Sequence, residues 1–107
     1  FVCIVMEYFP NGDLCHLLTE RTHAMLPEAV VVRIGVQLCD VLTFLHSRTP
    51  PVVHRDVKPE NILVRFDDAP ATASDPPVSG DYLDALEVVL TDFGLASQAD
   101  RSHMVTR

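Results

Sequence analysis

Long unbroken apolar stretches are missing from this sequence. No run approaches the roughly 20 residues a spanning helix needs, so no membrane span is expected. A basic leader is missing too. The chain opens Phe1-Val2-Cys3-Ile4-Val5-Met6, without an initiator methionine or a positively charged stretch, which reads as the interior of a strand and not as a signal peptide. Cysteine is scarce. Cys3, Cys15 and Cys39 are odd in number, widely spaced and set among apolar residues, which speaks against a disulfide framework or a zinc knuckle. They are expected to be buried free thiols in a reducing compartment, so an intracellular, cytoplasmic setting is expected as well. His16 and His23 have no partner at metal-ligand spacing and read as surface or helix-packing residues. Positive charge is also short: eight Lys and Arg stand against fifteen Asp and Glu, a formal charge of −7, which argues against an electrostatic grip on nucleic acid.

What is present is a chain of 107 residues, 48% apolar, within the range of ordinary globular domains. Its start inside an apolar run and its end at Val105-Thr106-Arg107, without a closing element, give the expectation of a piece of a longer chain. Most of the acidity is local. Six acids (Asp67, Asp68, Asp75, Asp81, Asp84, Glu87) fall between 67 and 87 with no Lys or Arg among them, leaving nine acids against eight bases elsewhere. The same stretch holds Pro70, Pro76 and Pro77 with Ser, Ala and Gly, and lacks the apolar spacing of a core element. It is expected to be a solvated loop, either a neutral insertion or a docking or phosphorylation segment through Ser74 and Ser79.

On either side of that loop the pattern is regular. Phe1 to Met6 is a continuously apolar run, expected to be a strand buried on both faces. Pro10-Asn11-Gly12-Asp13 supplies turn residues, with Asp13 placed to cap a short helix over 14–18. Pro27 suits the first position of a longer helix and Glu28 its first turn. From there Val31, Ile34, Leu38, Val41 and Leu45 recur at three- and four-residue steps to about His46, and Pro50-Pro51 stops the helix. Val52-Val53, Ile62-Leu63-Val64 and Val88-Val89-Leu90 read as short strands, the last two pairing as a hairpin with the acidic loop at its tip.

Between these strands lies "HRDVKPEN", His54 to Asn61, which Pro59 keeps from being a regular helix. Downstream, "TDFGLAS" places Asp92 at the end of a strand with Gly94 ready for a sharp turn. A carboxylate there, facing a loop that offers an amide oxygen and a second carboxylate, suits a hard divalent cation such as Mg²⁺. Phosphoryl transfer from a nucleotide needs that set: a metal across phosphate oxygens, a lysine offsetting charge, and a separate carboxylate to accept the proton of the attacking hydroxyl.

"HRDVKPENILV" followed by "TDFGLAS" resembles the catalytic loop and metal-binding segment of eukaryotic-type protein kinases in identity, spacing and order, and "VMEYFPNGDL" resembles the segment joining the two kinase lobes. The resemblance implies an α+β fold, part of a kinase-like domain and mainly its helical lobe with short β-hairpins. Its parts would be a joining segment (1–13), two helices (14–47), the catalytic loop and strands (52–66), the acidic insertion (67–87), and the metal-binding segment with the start of the activation segment (88–107). The insertion is longer than the hairpin usual there.

The resemblance further implies that Asp56 is the catalytic base, that Lys58 touches the transferring phosphate, and that Asn61 and Asp92 bind Mg²⁺. The Lys-Pro-Glu-Asn form points to serine/threonine kinases using ATP on protein substrates. His54 and Phe93 would pack together, and Arg55 would grip a phosphate on the activation segment, an ordinary surface ion pair being the alternative. Met6 would be the gatekeeper, Glu7 and Phe9 would offer backbone groups to adenine, Leu63 would floor the pocket, and Asp13 would lie near the ribose or simply cap its helix. Ser97, Ser102 and Thr106 are all candidate phosphosites, with none preferred. The chain lacks the glycine-rich loop and strand lysine of the kinase pattern, so inactivity in isolation is expected. A regulatory kinase-like module without catalysis is the alternative function, and a small-molecule kinase a third.

Overall fold

The computed structural model describes residues 1–21, 26–66 and 86–98. The acidic stretch from 67 to 85, with Ser74 and Ser79, lies outside the described residues, as do His23, Ser102 and Thr106.

Turn chemistry sets the first element. Gly12 sits at φ 74, where a side chain would be strained by its backbone, although an added Cβ would meet the His16 ring only at a contact distance of 3.4 Å. Asp13 follows in extended geometry, and its Oδ1 accepts from the His16 backbone at 2.8 Å, capping helix α1 at Leu14–His16. The helix expected to reach residue 18 instead widens into a π turn over Leu17–Arg21. Locally, the Thr19 hydroxyl donates to the Cys15 carbonyl at 2.9 Å and competes for an α-helical acceptor.

Helix α2 spans Glu28–His46. Pro27 is its cap and not its first residue, because ψ 142 holds it extended, while its carbonyl accepts from Val30 and Val31. The buried face carries Val30, Ile34 and Leu45, flanked by Leu38, Val41 and Leu42. Val31 does not share it. It is 53% exposed, and its neighbour Val30 takes the inward position one turn before Ile34. Cys39, expected to be buried, also falls outside this stripe and is exposed, as is Cys3, while Cys15 is half-buried; all three are free thiols. By length and composition α2 would pass as a membrane-crossing helix. Its polar residues mark it instead as a packing helix: Arg33 Nε and Gln37 Nε2 both donate to the Leu86 carbonyl, at 3.1 and 2.8 Å, and Gln37 Oε1 accepts from the Val88 backbone at 2.9 Å.

Strand β1 (Val52–Val53) leads into a loop that ends in a 3₁₀ turn over Pro59–Asn61. Strands β2 (Ile62–Phe66) and β3 (Leu86–Leu90) pair antiparallel from Ile62↔Leu90 to Phe66↔Leu86. This is the hairpin expected from the sequence, longer at each strand's outer end. Alternation turns Ile62, Val64, Leu86, Val88 and Leu90 into the core with Leu14, Leu17 and the α2 face. Each such side chain contributes about 1.5–3 kcal/mol by burial. The 11–13 turn lies along the other edge of β2, where Val64 N donates to the Gly12 carbonyl at 2.9 Å and Asp13 bridges Leu63. Strand β4 (Ser97–Gln98) returns to pair antiparallel with β1.

Phe1 to Met6 is not a strand. The segment is unpaired, with Phe1, Val2, Ile4 and Val5 exposed, because among the described residues no chain lies alongside it to complete a ladder.

Candidate active site

Both segments singled out by the sequence meet at one end of the β2–β3 hairpin. Asn61 immediately precedes β2, and Asp92 follows β3 by one intervening residue, Thr91. The Thr91 backbone donates to the Asn61 carbonyl at 2.9 Å, so the two loops are tied where they leave the ladder.

His54 organises the loop from below. Its ring is 1% exposed, so both nitrogens need partners, and both have them. The Asp56 backbone N–H donates to Nδ1 at 3.1 Å, and Nε2 lies 2.9 Å from the Thr91 carbonyl. An N–H can only donate and a carbonyl can only accept, so the ring proton sits on Nε2. The Phe93 ring meets His54 edge-on, with centroids 4.8 Å apart at 69°. His54 thereby ties the Asp56 loop to both residues that flank Asp92.

Asn61 closes the loop. Its Nδ2 donates to the Asp56 carbonyl at 2.9 Å and to Asp56 Oδ2 at 3.0 Å, which holds the carboxylate against the turn. Lys58 Nζ approaches the other oxygen, Oδ1, at 3.5 Å. Arg55, at φ 71, is exposed and makes no ion pair among the described residues. Asp92 shares the left-handed backbone at φ 60, and its Oδ1 accepts from the Gly94 N–H at 3.2 Å. Non-glycine residues at positive φ are uncommon, and two of them here bracket the carboxylates.

With its Nδ2 committed, Asn61 keeps Oδ1 for another partner; Asp92 keeps a second oxygen. Two hard oxygen donors at one end of the hairpin fit Mg²⁺, which retains waters and phosphate oxygens where the protein supplies few ligands. Among the described residues no cluster of three or more His, Cys, Asp and Glu forms a self-sufficient metal cage.

Met6, Glu7, Phe9 and Leu63 share an open cleft of about 360 Å³, which also takes in Thr91 and Phe93. Asp13 does not line it; its carboxylate is occupied as the α1 cap, with Leu63 across the bridge. Ser97 lies in β4 with Oγ shielded and unpartnered among the described residues, a poor presentation for modification. Burial, with the Glu60 and Asp13 carboxylates nearby, pushes the Cys15 thiol up from its ordinary range.

Residue-by-residue reading of the sequence missed Arg65, Glu87 and Thr91. Arg65 pairs with Glu7 and with Glu87, its opposite in the hairpin register, and all three line the cleft. The opposite charges become a signal only once the register is known. Thr91 acts through its backbone, which leaves no mark on residue type.

A family model described as "Protein kinase domain" matches residues 1–107. The chain is 32% identical over 100 residues to serine/threonine-protein kinase WAG1 of Arabidopsis thaliana, covering 94% of this chain and 17% of that protein. It is 35% identical over 98 residues to mitogen-activated protein kinase kinase kinase 11 of Rattus norvegicus, covering 91% and 10%. To CBL-interacting protein kinase 4 of Oryza sativa subsp. japonica it is 42% identical over 66 residues, covering 62% and 14%. The chain thus spans under a fifth of the length of these relatives.

Proposed function

The chain belongs to the protein kinase family, and from that premise we propose that it carries the catalytic centre of an ATP-dependent serine/threonine protein kinase. The observation that carries the reading is the grouping at one end of the hairpin: Asn61 bonded to both the backbone and the carboxylate of Asp56, Lys58 beside that carboxylate, and Asp92 tied in through Thr91.

In this reading Asp56 accepts the proton of a substrate serine or threonine hydroxyl as its oxygen bonds to the γ-phosphorus and the bond to the leaving ADP breaks. Asn61 holds Asp56 in a single orientation, so the base is placed before substrate arrives. Lys58 offsets negative charge on the transferring phosphoryl group. Asn61 Oδ1 and Asp92 would hold Mg²⁺, which would supply positive charge to offset that of the nucleotide phosphates. The adenine base enters the cleft over Leu63, against backbone groups of Glu7 and Phe9, with Met6 as gatekeeper. Arg55, exposed and without an ion pair among the described residues, takes a phosphate on the activation segment. No observation favours the non-catalytic alternative, since the base, the lysine and both metal donors are present.

The test is transfer of radiolabelled γ-phosphate from ATP by the full-length protein to a serine/threonine substrate. Asp56→Asn keeps the shape and an acceptor oxygen but removes the base, and a fall in kcat of at least about 100-fold is expected. An Asp56→Ala protein that phosphorylates as well as the original would refute the assignment.

A further inference from the structure

We propose that Arg65 is the positioning residue of the nucleotide cleft: by fixing Glu7 and Phe9 against the hairpin it sets how tightly an adenine nucleotide binds. This rests on the reading of that cleft given above.

Two separate stretches of chain converge on the guanidinium that a third, β2, presents. Arg65 Nε donates to Glu87 Oε2 at 3.1 Å and Nη2 donates to the same oxygen, while Nη1 donates to Glu7 Oε1 at 2.6 Å. The guanidinium carbon also lies 5.3 Å from the Phe9 ring centroid, within cation–π range. Arg65 and Glu87 are direct opposites in the β2–β3 register, so the ladder already holds that pair together. Glu7 and Phe9 belong to a stretch with no regular structure. The Gly12 N–H donates to the Phe9 carbonyl at 3.1 Å, and among the described residues the next ties to the hairpin come only at Asn11, whose Oδ1 accepts from Phe66 N–H at 3.3 Å, and at Gly12, whose carbonyl accepts from Val64 N–H at 2.9 Å. The hairpin is therefore the rigid partner and the joining segment the part being positioned.

The chemistry explains why arginine serves here. One delocalised cation with a planar fork can meet two carboxylates from different directions and still stack on an aromatic ring. A lysine's compact ammonium has three donors but no planar fork to bridge both carboxylates in fixed geometry while lying over the ring. With an apolar residue at this position, Glu7 and Glu87 would line one cleft without their shared cation, and Phe9 would lose the group above its ring. The backbone groups of residues 7 to 9 would then be less fixed when nucleotide arrives, an ordering cost that falls on binding and not on the transfer step.

The experiment uses the full-length protein, a fluorescent methylanthraniloyl-ATP with Mg²⁺ for Kd, and steady-state kinetics for KM and kcat. Arg65→Met is expected to raise Kd and the KM for ATP in parallel by about fivefold, the size of one partly exposed ion-pair network, with kcat at saturating ATP within about twofold. Arg65→Lys should recover part of the loss. Glu7→Gln, a near-isosteric change at an exposed side chain, removes only the arm to the joining segment and should raise Kd about twofold; it serves as well if Arg65→Met fails to fold. Unchanged Kd and KM in these variants, or a loss confined to kcat, overturns the inference while the cleft remains a nucleotide site. Absence of nucleotide binding by the wild type overturns the reading of the cleft itself.

Discussion

Asp92 answers two demands at one position. Its backbone at φ 60 is a conformation that Asp and Asn adopt readily and alanine only with strain, and its Oδ1 anchors the Gly94 N–H. Asp92→Asn preserves both features and removes only the charge. Its Tm is expected to stay within about 2 °C of wild type, while Mg²⁺-dependent nucleotide binding falls at least about tenfold. Asp92→Ala should lose binding and also about 1–2 kcal/mol of stability. Thermal unfolding with and without MgATP separates the two; equal destabilisation by Asn and Ala would remove the backbone argument. Cys15 offers a second measurement at this scale. Its raised pKa means less thiolate at a given pH, so alkylation by iodoacetamide at mildly alkaline pH should be slower at Cys15 than at the exposed Cys3 and Cys39. Glu60→Gln should speed it, as read by mass spectrometry of the modified peptides; no change would discount the Glu60 carboxylate as a cause.

At the level of elements, α2 grips β3 through an amide as well as through its apolar stripe. Gln37 accepts from Val88 N–H and donates to the Leu86 carbonyl, standing where a neighbouring strand would stand. Gln37→Leu keeps the volume and leaves part-buried backbone groups without that partner, an expected loss of about 1–3 kcal/mol in chemical denaturation. A neutral result would show that water replaces the amide at no cost. This contact also shows why part of the fold was illegible. Counting apolar residues at helical spacing found Ile34, Leu38, Val41 and Leu45, but Arg33 and Gln37 lie toward β3 for hydrogen bonding, which no hydropathy pattern reveals. Asp56, Lys58, Asn61 and Asp92 could be singled out because the chemistry proposed for them depends on side-chain type at fixed spacing, and the structure brings Asp56, Lys58 and Asn61 into contact. The joining segment was misread for the opposite reason: an apolar run specifies an extended chain, and whether it becomes a strand depends on a partner.

For the molecule as a whole, what matters is which parts of the transfer machinery the 107 residues contain. On the proposed reading the proton acceptor and metal donors are among them, but the four glycines form no glycine-rich loop, and Lys58 is the sole lysine. The glycine-rich loop and strand lysine that the kinase pattern uses to clamp the nucleotide phosphates are not among these residues. The isolated chain is therefore expected to give no phosphotransfer above background in a radiolabelled ATP assay, with wild type and Asp56→Asn indistinguishable. Clear turnover abolished by Asp56→Asn would show that these residues suffice.

The β2–β3 ladder has a consequence for how such a chain can change over generations. Asn61 and Asp92 leave it at one end, and the acidic stretch of sequence continues from the other, beyond the Phe66↔Leu86 rung, where Asn11 Oδ1 accepts from Phe66 N–H at 3.3 Å. The rungs between work as an insulator: sequence can be gained or lost at the distal end without shifting the spacing of the two loops that carry Asn61 and Asp92. A lineage is thus free to experiment with insertions at this point while Asn61 and Asp92 stay in register.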